Sequence, residues 1–269
     1  MNIKRILTTI IGAPIVIALF ALANPIIIDA ILAIVAIRSI YEYSKCAEKT
    51  CKIISWLAYI PAVLIAFLHI IPEDIWGKII PIIIPLFLLF AFLQVIVTDG
   101  KTNYKDVVYT TTGVLYLVPL IAFFSLLYGG NNGRYYIWYI MTSSWVSDIF
   151  AYIVGKHFGK HKFSKISPNK TIEGCIAGLV GAVIAGIIYT ICINKYFGFE
   201  IGYLQIGIIA AILCAIGQIG DFAASVIKRH FDVKDFSDLF PGHGGMIDRI
   251  DSIIFIAPFA YYIFVILLG

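Results

Sequence analysis

Residues 201–219, I-G-Y-L-Q-I-G-I-I-A-A-I-L-C-A-I-G-Q-I, run without a break into residues 220–251, G-D-F-A-A-S-V-I-K-R-H-F-D-V-K-D-F-S-D-L-F-P-G-H-G-G-M-I-D-R-I-D. The first stretch carries no charge and is about as long as a membrane-crossing helix needs to be. The second, from Asp221 to Asp251, holds four of the 20 basic residues, six of the 16 carboxylates and two of the five histidines. Hydrocarbon offers such groups no partner, so a chain keeps them beside a span only where water, metal or a charged ligand satisfies them. This junction predicts an all-α, polytopic membrane protein whose chemistry lies in the polar run.

The rest of the chain agrees. It is 61% hydrophobic and 13% charged, with a mean hydropathy of +0.94, which places it outside the soluble globular class. Its 269 residues accommodate about nine spans with short loops and no separate soluble domain. One membrane domain over 1–269 is expected, with N-terminal helices over about 1–130 and a catalytic part over 135–269. The five cysteines (Cys46, Cys51, Cys175, Cys192, Cys214) include no C-x-x-C pair, so neither a structural disulfide nor a cysteine metal site is expected. Lys4, Arg5, the apolar run from Ile6 to Phe20 and Ala21-Leu22-Ala23 mimic a signal peptide. Because the chain runs straight on into further spans, this first helix is expected to be retained.

Apolar runs bounded by Pro, Gly, Asn and charge predict spans at roughly 6–23, 26–40, 53–71, 79–97, 107–128, 135–154, 174–193, 201–219 and 252–268. The second is the weakest, short and carrying Asp29, and a shallow or re-entrant helix there would change the parity downstream. With the N-terminus in the cytosol and the C-terminus outside, 17 of the 20 basic residues face the cytosol; only Lys78, Arg134 and Lys195 do not. That asymmetry satisfies the positive-inside rule. It predicts a multi-pass protein of the inner (plasma) membrane with its polar run on the cytoplasmic side.

Four constellations stand out. Ser144, Asp148 and Tyr152 are four apart, and on a regular helix they share a face. A carboxylate inside a span needs a polar interior or a cation, although a packing cluster of serines around one acid would look the same. Next comes the loop Gly155 to Lys162 continuing to Ser167-Pro-Asn-Lys-Thr-Ile-Glu-Gly174. Ser167 as N-cap and Pro168 at the first helical position predict a helix start there. Its free N–H groups with Lys170 suit a phosphate, or merely a capped helix beside a basic loop.

The third is Asp221, Ser225 and Lys228 at i, i+4 and i+7: if helical, an acid, hydroxyl and base along one stripe, followed by Arg229. An ordinary interfacial helix end accounts for the two cations as well. The fourth is Phe240-Pro-Gly-His243-Gly244-Gly245-Met-Ile-Asp248-Arg249-Ile-Asp251-Ser252. Glycines allow close backbone approach to an anion, and Asp248 and Asp251 fall one turn apart at a helix head, where carboxylates suit the dipole. Hard oxygen ligands of this kind select Mg²⁺, which keeps waters and bridges to substrate phosphates.

At these residues the chain resembles the phosphatidate cytidylyltransferases (CDP-diacylglycerol synthases). The family signature S-x-x-K-R-x4-K-D-x-S/G-x2-hydrophobic-P-x-H-G-G-x-x-D-R-x-D is met by Ser225, Lys228-Arg229, Lys234-Asp235, Ser237, Phe240-Pro241, His243-Gly244-Gly245, Asp248-Arg249 and Asp251. Upstream, Ser147-Asp148, Phe158 to Lys162 and Ser167 to Gly174 match as well; Ile149 departs from the small polar residue often found there. The resemblance covers about half the chain. It implies that CTP and phosphatidic acid give CDP-diacylglycerol and pyrophosphate with Mg²⁺, in packed membrane helices that are often a homodimer. It also implies Asp221 and Asp248 as metal ligands and leaves room for a second, monovalent cation such as K⁺.

The chemistry of the residues agrees with that implication. A phosphate monoester is mostly a dianion at pH 7 and can attack the α-phosphorus of CTP without a general base. Positioning and charge neutralisation then carry the rate. Asp221 and Asp248 are expected on Mg²⁺ with Asp148 and Asp251 as supporting acids, Lys170, Lys228, Arg229 and Lys234 on phosphates, and Gly244-Gly245 against the nucleotide. Ser225 would assist, Arg249 would border the substrate, and His243 would donate a hydrogen bond. The expected partners are CTP, phosphatidic acid and the lipid bilayer, with no nucleic acid. An ion-coupled transporter is the rival from another class, because Asp29 and Asp148 lie in or near spans. Transporters, however, place such acids at the midplane between repeated halves, and no internal repeat is visible. Polyprenol kinases and archaeal-type lipid cytidylyltransferases are nearer rivals, while the CDP-alcohol phosphatidyltransferase motif is absent.

Overall fold

The apolar runs fold into helices throughout, and no strand occurs among the described residues. The computed structural model describes residues 3–164, 166–240, 242 and 244–268, with backbone alone for 3–11 and 13. The helices are α1 (Ile3–Leu22), α2 (Pro25–Ala47), α3 (Ser55–Leu64), α4 (Glu73–Val97), α5 (Tyr104–Gly129), α6 (Gly133–Met141), α7 (Ser147–Phe158), α8 (Ile172–Phe197), α9 (Tyr203–His230) and α10 (Ile247–Tyr261). Six helical stretches among the described residues are long and apolar enough to cross a membrane: α4, α5, α6 with α7 as one 26-residue stretch, α8, α9, and α10 with its continuation to Leu267. The protein is therefore a multi-pass, all-helical membrane protein.

The chain forms two compact units. One comprises Met1–Gly129 and His230–Arg249; the other comprises Gly130–Arg229 and Ile250–Gly269. Residues 230–249 thus group with residues 1–129.

In the first unit, α2 is longer than the run 26–40 foretold. Asn24 caps it by accepting from the Ile27 N–H at 2.8 Å, with Pro25 in its first turn, a pairing that pre-sets the helix start. The helix continues through Arg38, Glu42 and Lys45 because its charged positions find partners. Asp29 and Glu42 are both fully buried. Asp29 accepts from the His69 backbone N–H at 2.8 Å, meets His69 Nδ1 at 3.0 Å and accepts from the Ser125 hydroxyl. That capture of the His69 amide coincides with the end of the expected span 53–71. The α-helix there ends at Leu64 and tightens to a 3₁₀ turn at Ile65–Phe67, so the whole helical run, Ser55–Phe67, is only 13 residues long.

The second unit is held by close helix contacts. A Cβ on Gly178 of α8 would lie 2.6 Å from Ser147 Oγ and 2.9 Å from the Ser147 carbonyl, so only glycine lets α7 and α8 meet there. Within the stretch from Gly133 to Phe158 the helix widens to a π turn at Thr142–Val146, where Thr142 Oγ1 bonds back to the Trp138 carbonyl at 2.9 Å. The extra residue rotates the helix beyond it. Ser144 is buried whereas Asp148 and Tyr152 are exposed, so the face expected for these three is split.

Candidate functional site

The motif residues of the second unit gather around the ends of α8, α9 and α10. The α9 helix is continuous from Tyr203 to His230, which confirms the stripe of Asp221, Ser225 and Lys228. Asp221 pairs with Lys170, and both side chains are 26% exposed. The Lys170 ammonium also lies 4.3 Å from the centroid of the Phe222 ring, a cation–π contact that holds it beside the acid.

What delivers Lys170 is a short hairpin. Phe163 N–H donates to the Lys170 carbonyl at 3.0 Å and Ile172 N–H to the His161 carbonyl at 2.9 Å. His161 is fastened in turn to Glu173, its Nδ1 lying 2.7 Å from the carboxylate. The expected helix start at Ser167-Pro168 is corrected by four residues. Lys170 N–H donates to the Ser167 carbonyl at 3.1 Å, closing a turn, and α8 begins at Ile172 with Thr171 as its N-cap, accepting from Gly174 N–H at 3.1 Å. Thr171 is extended (φ −121°, ψ 153°), the geometry an N-cap requires. Lys170 therefore precedes the cap, at the end of a strand-like segment rather than inside a first helical turn.

Asp251 lies on α10 and is buried, with its Oδ1 accepting from the Ser252 N–H at 2.8 Å. It packs against α9 next to Asp221. Backbone proximity brings this about: a Cβ on Gly220 would stand 2.7 Å from the Asp251 carbonyl. Ser225 is buried beside them, Lys228 is half-buried, and Arg229 is exposed with Nε donating to the Ile166 carbonyl at 3.4 Å. An apolar recess of about 480 Å³ adjoins, lined by Phe163, Ile166, Ile219, Phe222 and Val226 with Gln218. Phe222 is common to the recess and to the Lys170 contact, so one wall joins an apolar slot to an ammonium.

In the first unit, Asp248 sits in the first turn of α10 and its Oδ2 accepts from Phe236 N–H and Gly245 N–H, each at 2.9 Å. Gly244 adopts φ +78°, a left-handed turn conformation suited to glycine, and its carbonyl accepts from Phe240 N–H at 2.9 Å. Gly245 is buried, while Lys234 and Arg249 are exposed. His243 and Pro241 lie outside the described residues.

Two contributors were missed in the sequence. Glu42 binds Ser237 and the turn before α10, and Gln218 ties α9 to α8 and α7. A glutamate inside an apolar helix was the available signal for Glu42; Gln218 gave none beyond being polar in a span.

Among the described residues no three His, Cys, Asp or Glu side chains converge into a metal cage. Mg²⁺ does not require such a cage, since it takes one or two carboxylates and completes its shell with water and substrate phosphate.

A sequence model described as the cytidylyltransferase family matches residues 3–267. The chain is 35% identical over 181 residues to a phosphatidate cytidylyltransferase of Bacillus subtilis, covering 65% of this chain and 66% of that protein. It is 35% identical over 194 residues to one of Thermotoga maritima (69% and 70%) and 35% identical over 173 residues to one of Staphylococcus saprophyticus (64% of each). The matches thus span about two thirds of these relatives.

Proposed function

From the chain's membership of the cytidylyltransferase family, we propose that it is a phosphatidate cytidylyltransferase, joining CTP and phosphatidic acid to give CDP-diacylglycerol and pyrophosphate. The observation that carries the reading is the Lys170–Asp221 pair set against the apolar recess through Phe222. A substrate with a phosphate head and apolar tails needs a cation and an apolar slot side by side. The names of the relatives in Bacillus subtilis and Thermotoga maritima point the same way.

In this reading the phosphatidate dianion attacks the α-phosphorus of CTP through a phosphate oxygen, and the bond from that phosphorus to the bridging oxygen of the β-phosphate breaks. Pyrophosphate leaves with the electron pair. Lys170, Lys228, Arg229 and Lys234 bind and orient the phosphates. Ser225 donates a hydrogen bond, and Arg249 and His243 border the nucleotide beside the Gly244-Gly245 turn. Asp221 and Asp248 are the proposed Mg²⁺ ligands, supported by Asp148 and Asp251, with room for a monovalent cation such as K⁺. When bound, Mg²⁺ neutralises charge on the phosphates and the leaving group. No Ser, Cys or His nucleophile is needed, because the lipid phosphate is itself the nucleophile.

The finer topology belongs to the same proposal: nine spans, a cytosolic N-terminus, an external C-terminus, a site facing the cytoplasm of the inner membrane, and a homodimer. The 17-to-3 partition of basic residues supports the orientation.

The deciding experiment incubates purified protein with radiolabelled CTP, Mg²⁺ and either phosphatidic acid or a polyprenyl phosphate. Label entering the phosphatidate lipid alone is expected. Label in the polyprenyl lipid would replace the substrate, and label in neither would overturn the reading.

A further inference from the structure

We propose that Glu42 is a positioning residue for Asp248: a carboxylate on α2 fixes the turn that precedes α10 and so sets where Asp248 is presented. The consequence for catalysis rests on the cytidylyltransferase reading; the geometry does not.

Glu42 is fully buried. Its Oε1 accepts from Arg38 Nε at 3.2 Å, Ser237 Oγ at 2.7 Å and Met246 N–H at 3.0 Å, and its Oε2 accepts from Ile247 N–H at 3.1 Å. A buried carboxylate is costly unless its lone pairs are met, and here four donors meet them. Two of those donors are amides at the head of α10. Such amides have no partner within their own helix, and the helix dipole favours negative charge at that end. Helix caps ordinarily come from the residue next in sequence; this one comes from 204 and 205 positions away. The anion-binding capacity of these two amides is thus met by the protein's own carboxylate.

The same carboxylate explains a glycine. A Cβ on Gly245 would stand 2.4 Å from Glu42 Oε2 and 2.8 Å from Ser237 Oγ, so Glu42 can reach the turn only if that position has no side chain. Gly245 then turns its N–H to Asp248 Oδ2, which also receives Phe236 N–H. The contacts close on themselves. Glu42 holds Ser237, Met246 and Ile247, and the flanking residues Phe236 and Gly245 hold one oxygen of Asp248. With that oxygen oriented by two amides, the direction of the carboxylate is set by the turn, and the turn is set by Glu42. Residues that orient a ligand from behind commonly change its affinity for metal by about tenfold or more when lost.

The test uses the full-length protein in detergent. Hydrogen exchange is followed by mass spectrometry without metal or nucleotide in wild type, Glu42→Gln, Glu42→Asp and Ser237→Ala. Peptides covering 236–248 are expected to exchange about tenfold faster in Glu42→Gln, with α5 unchanged and with Glu42→Asp intermediate. In turnover assays the Mg²⁺ concentration for half-maximal rate is expected to rise about tenfold, while the KM for phosphatidate stays put. Unchanged exchange over 236–248 overturns the proposal. So does equal loosening of α2, α5 and the turn, which would make Glu42 a general stabiliser. Should Glu42→Gln fail to accumulate, Ser237→Ala must show the local loosening, and its absence is equally fatal. An inactive wild type would sink the cytidylyltransferase reading alone and leave the exchange result to decide the positioning role.

Discussion

Gln218 Nε2 donates to the carbonyl of Cys175 at 3.0 Å, joining α9 to α8 one turn before Asp221. The same amide lies 3.4 Å from Ser147 Oγ on α7. A side-chain amide in an apolar bundle satisfies a carbonyl and a hydroxyl on two other helices, and the acid that pairs with Lys170 comes one turn later on the same helix. Polar ties of this kind between membrane helices contribute about 0.6–2 kcal/mol each. Gln218→Leu is expected to lower the unfolding temperature and to weaken the Lys170–Asp221 arrangement, reducing turnover several-fold. A thermal melt and a rate measurement on the same preparation check both.

Asp221→Asn and Asp248→Asn are each expected to abolish CTP- and Mg²⁺-dependent turnover while the protein remains folded by size exclusion in detergent. Lys170→Met should lose most activity too, because it removes the proposed phosphate cation and strips Asp221 of its partner. Near-wild-type rates in either aspartate variant would dismiss the metal assignment.

Two glycines of the second unit should behave oppositely. Gly178→Ala would place a Cβ 2.6 Å from Ser147 Oγ, whereas one at Gly207 would meet nothing nearer than 3.7 Å. The first is expected to destabilise by about 1–3 kcal/mol through overpacking. The second should be neutral or gain up to about 1 kcal/mol from helix propensity. Thermal melts of the two variants in one detergent separate them.

Asp29 is a buried carboxylate at the opposite end of α2 from Glu42, bound to His69 and Ser125. Asp29→Ala leaves those donors unmet and is expected to cost about 1–3 kcal/mol. Unlike substitution of Glu42, it should leave the Mg²⁺ dependence unchanged. A shifted Mg²⁺ curve would show that the two acids are not separable.

Burial, and then the charge of Asp106, push the Cys51 thiol up to about 11. An acid whose folded pKa is raised binds its proton more tightly when folded, so its stabilising share is full below the ordinary thiol value and is lost as pH rises toward 11. Cys51 is therefore expected to resist alkylation at pH 8 in the folded protein and to label on denaturation. Rapid labelling of Cys51 in the native protein would contradict this.

Much of the site was legible locally. The apolar run 201–219 and the stripe from Asp221 to Lys228 read as one helix because both follow the 3.6-residue period, and α9 is continuous through them. The Ser167-Pro168 start was misplaced because a β-turn and a helix N-terminus use the same residues. Thr171 took the cap once the hairpin to His161 had set it in an extended conformation. The Ser144–Asp148 face was lost to a π turn that no periodicity announces.

By itself the sequence determined the membrane class, the helical content and the identity of the charged residues at helix ends, since hydrocarbon excludes unpaired polar groups wherever they occur in a chain. Only the tertiary structure decided which acid answers which donor. Glu42 reads as one charge in an apolar helix until folding brings Ser237 to it from 195 positions away. The reason is physical: periodicity reports on neighbours within a few turns, whereas the partner that offsets a buried charge can come from any part of the chain.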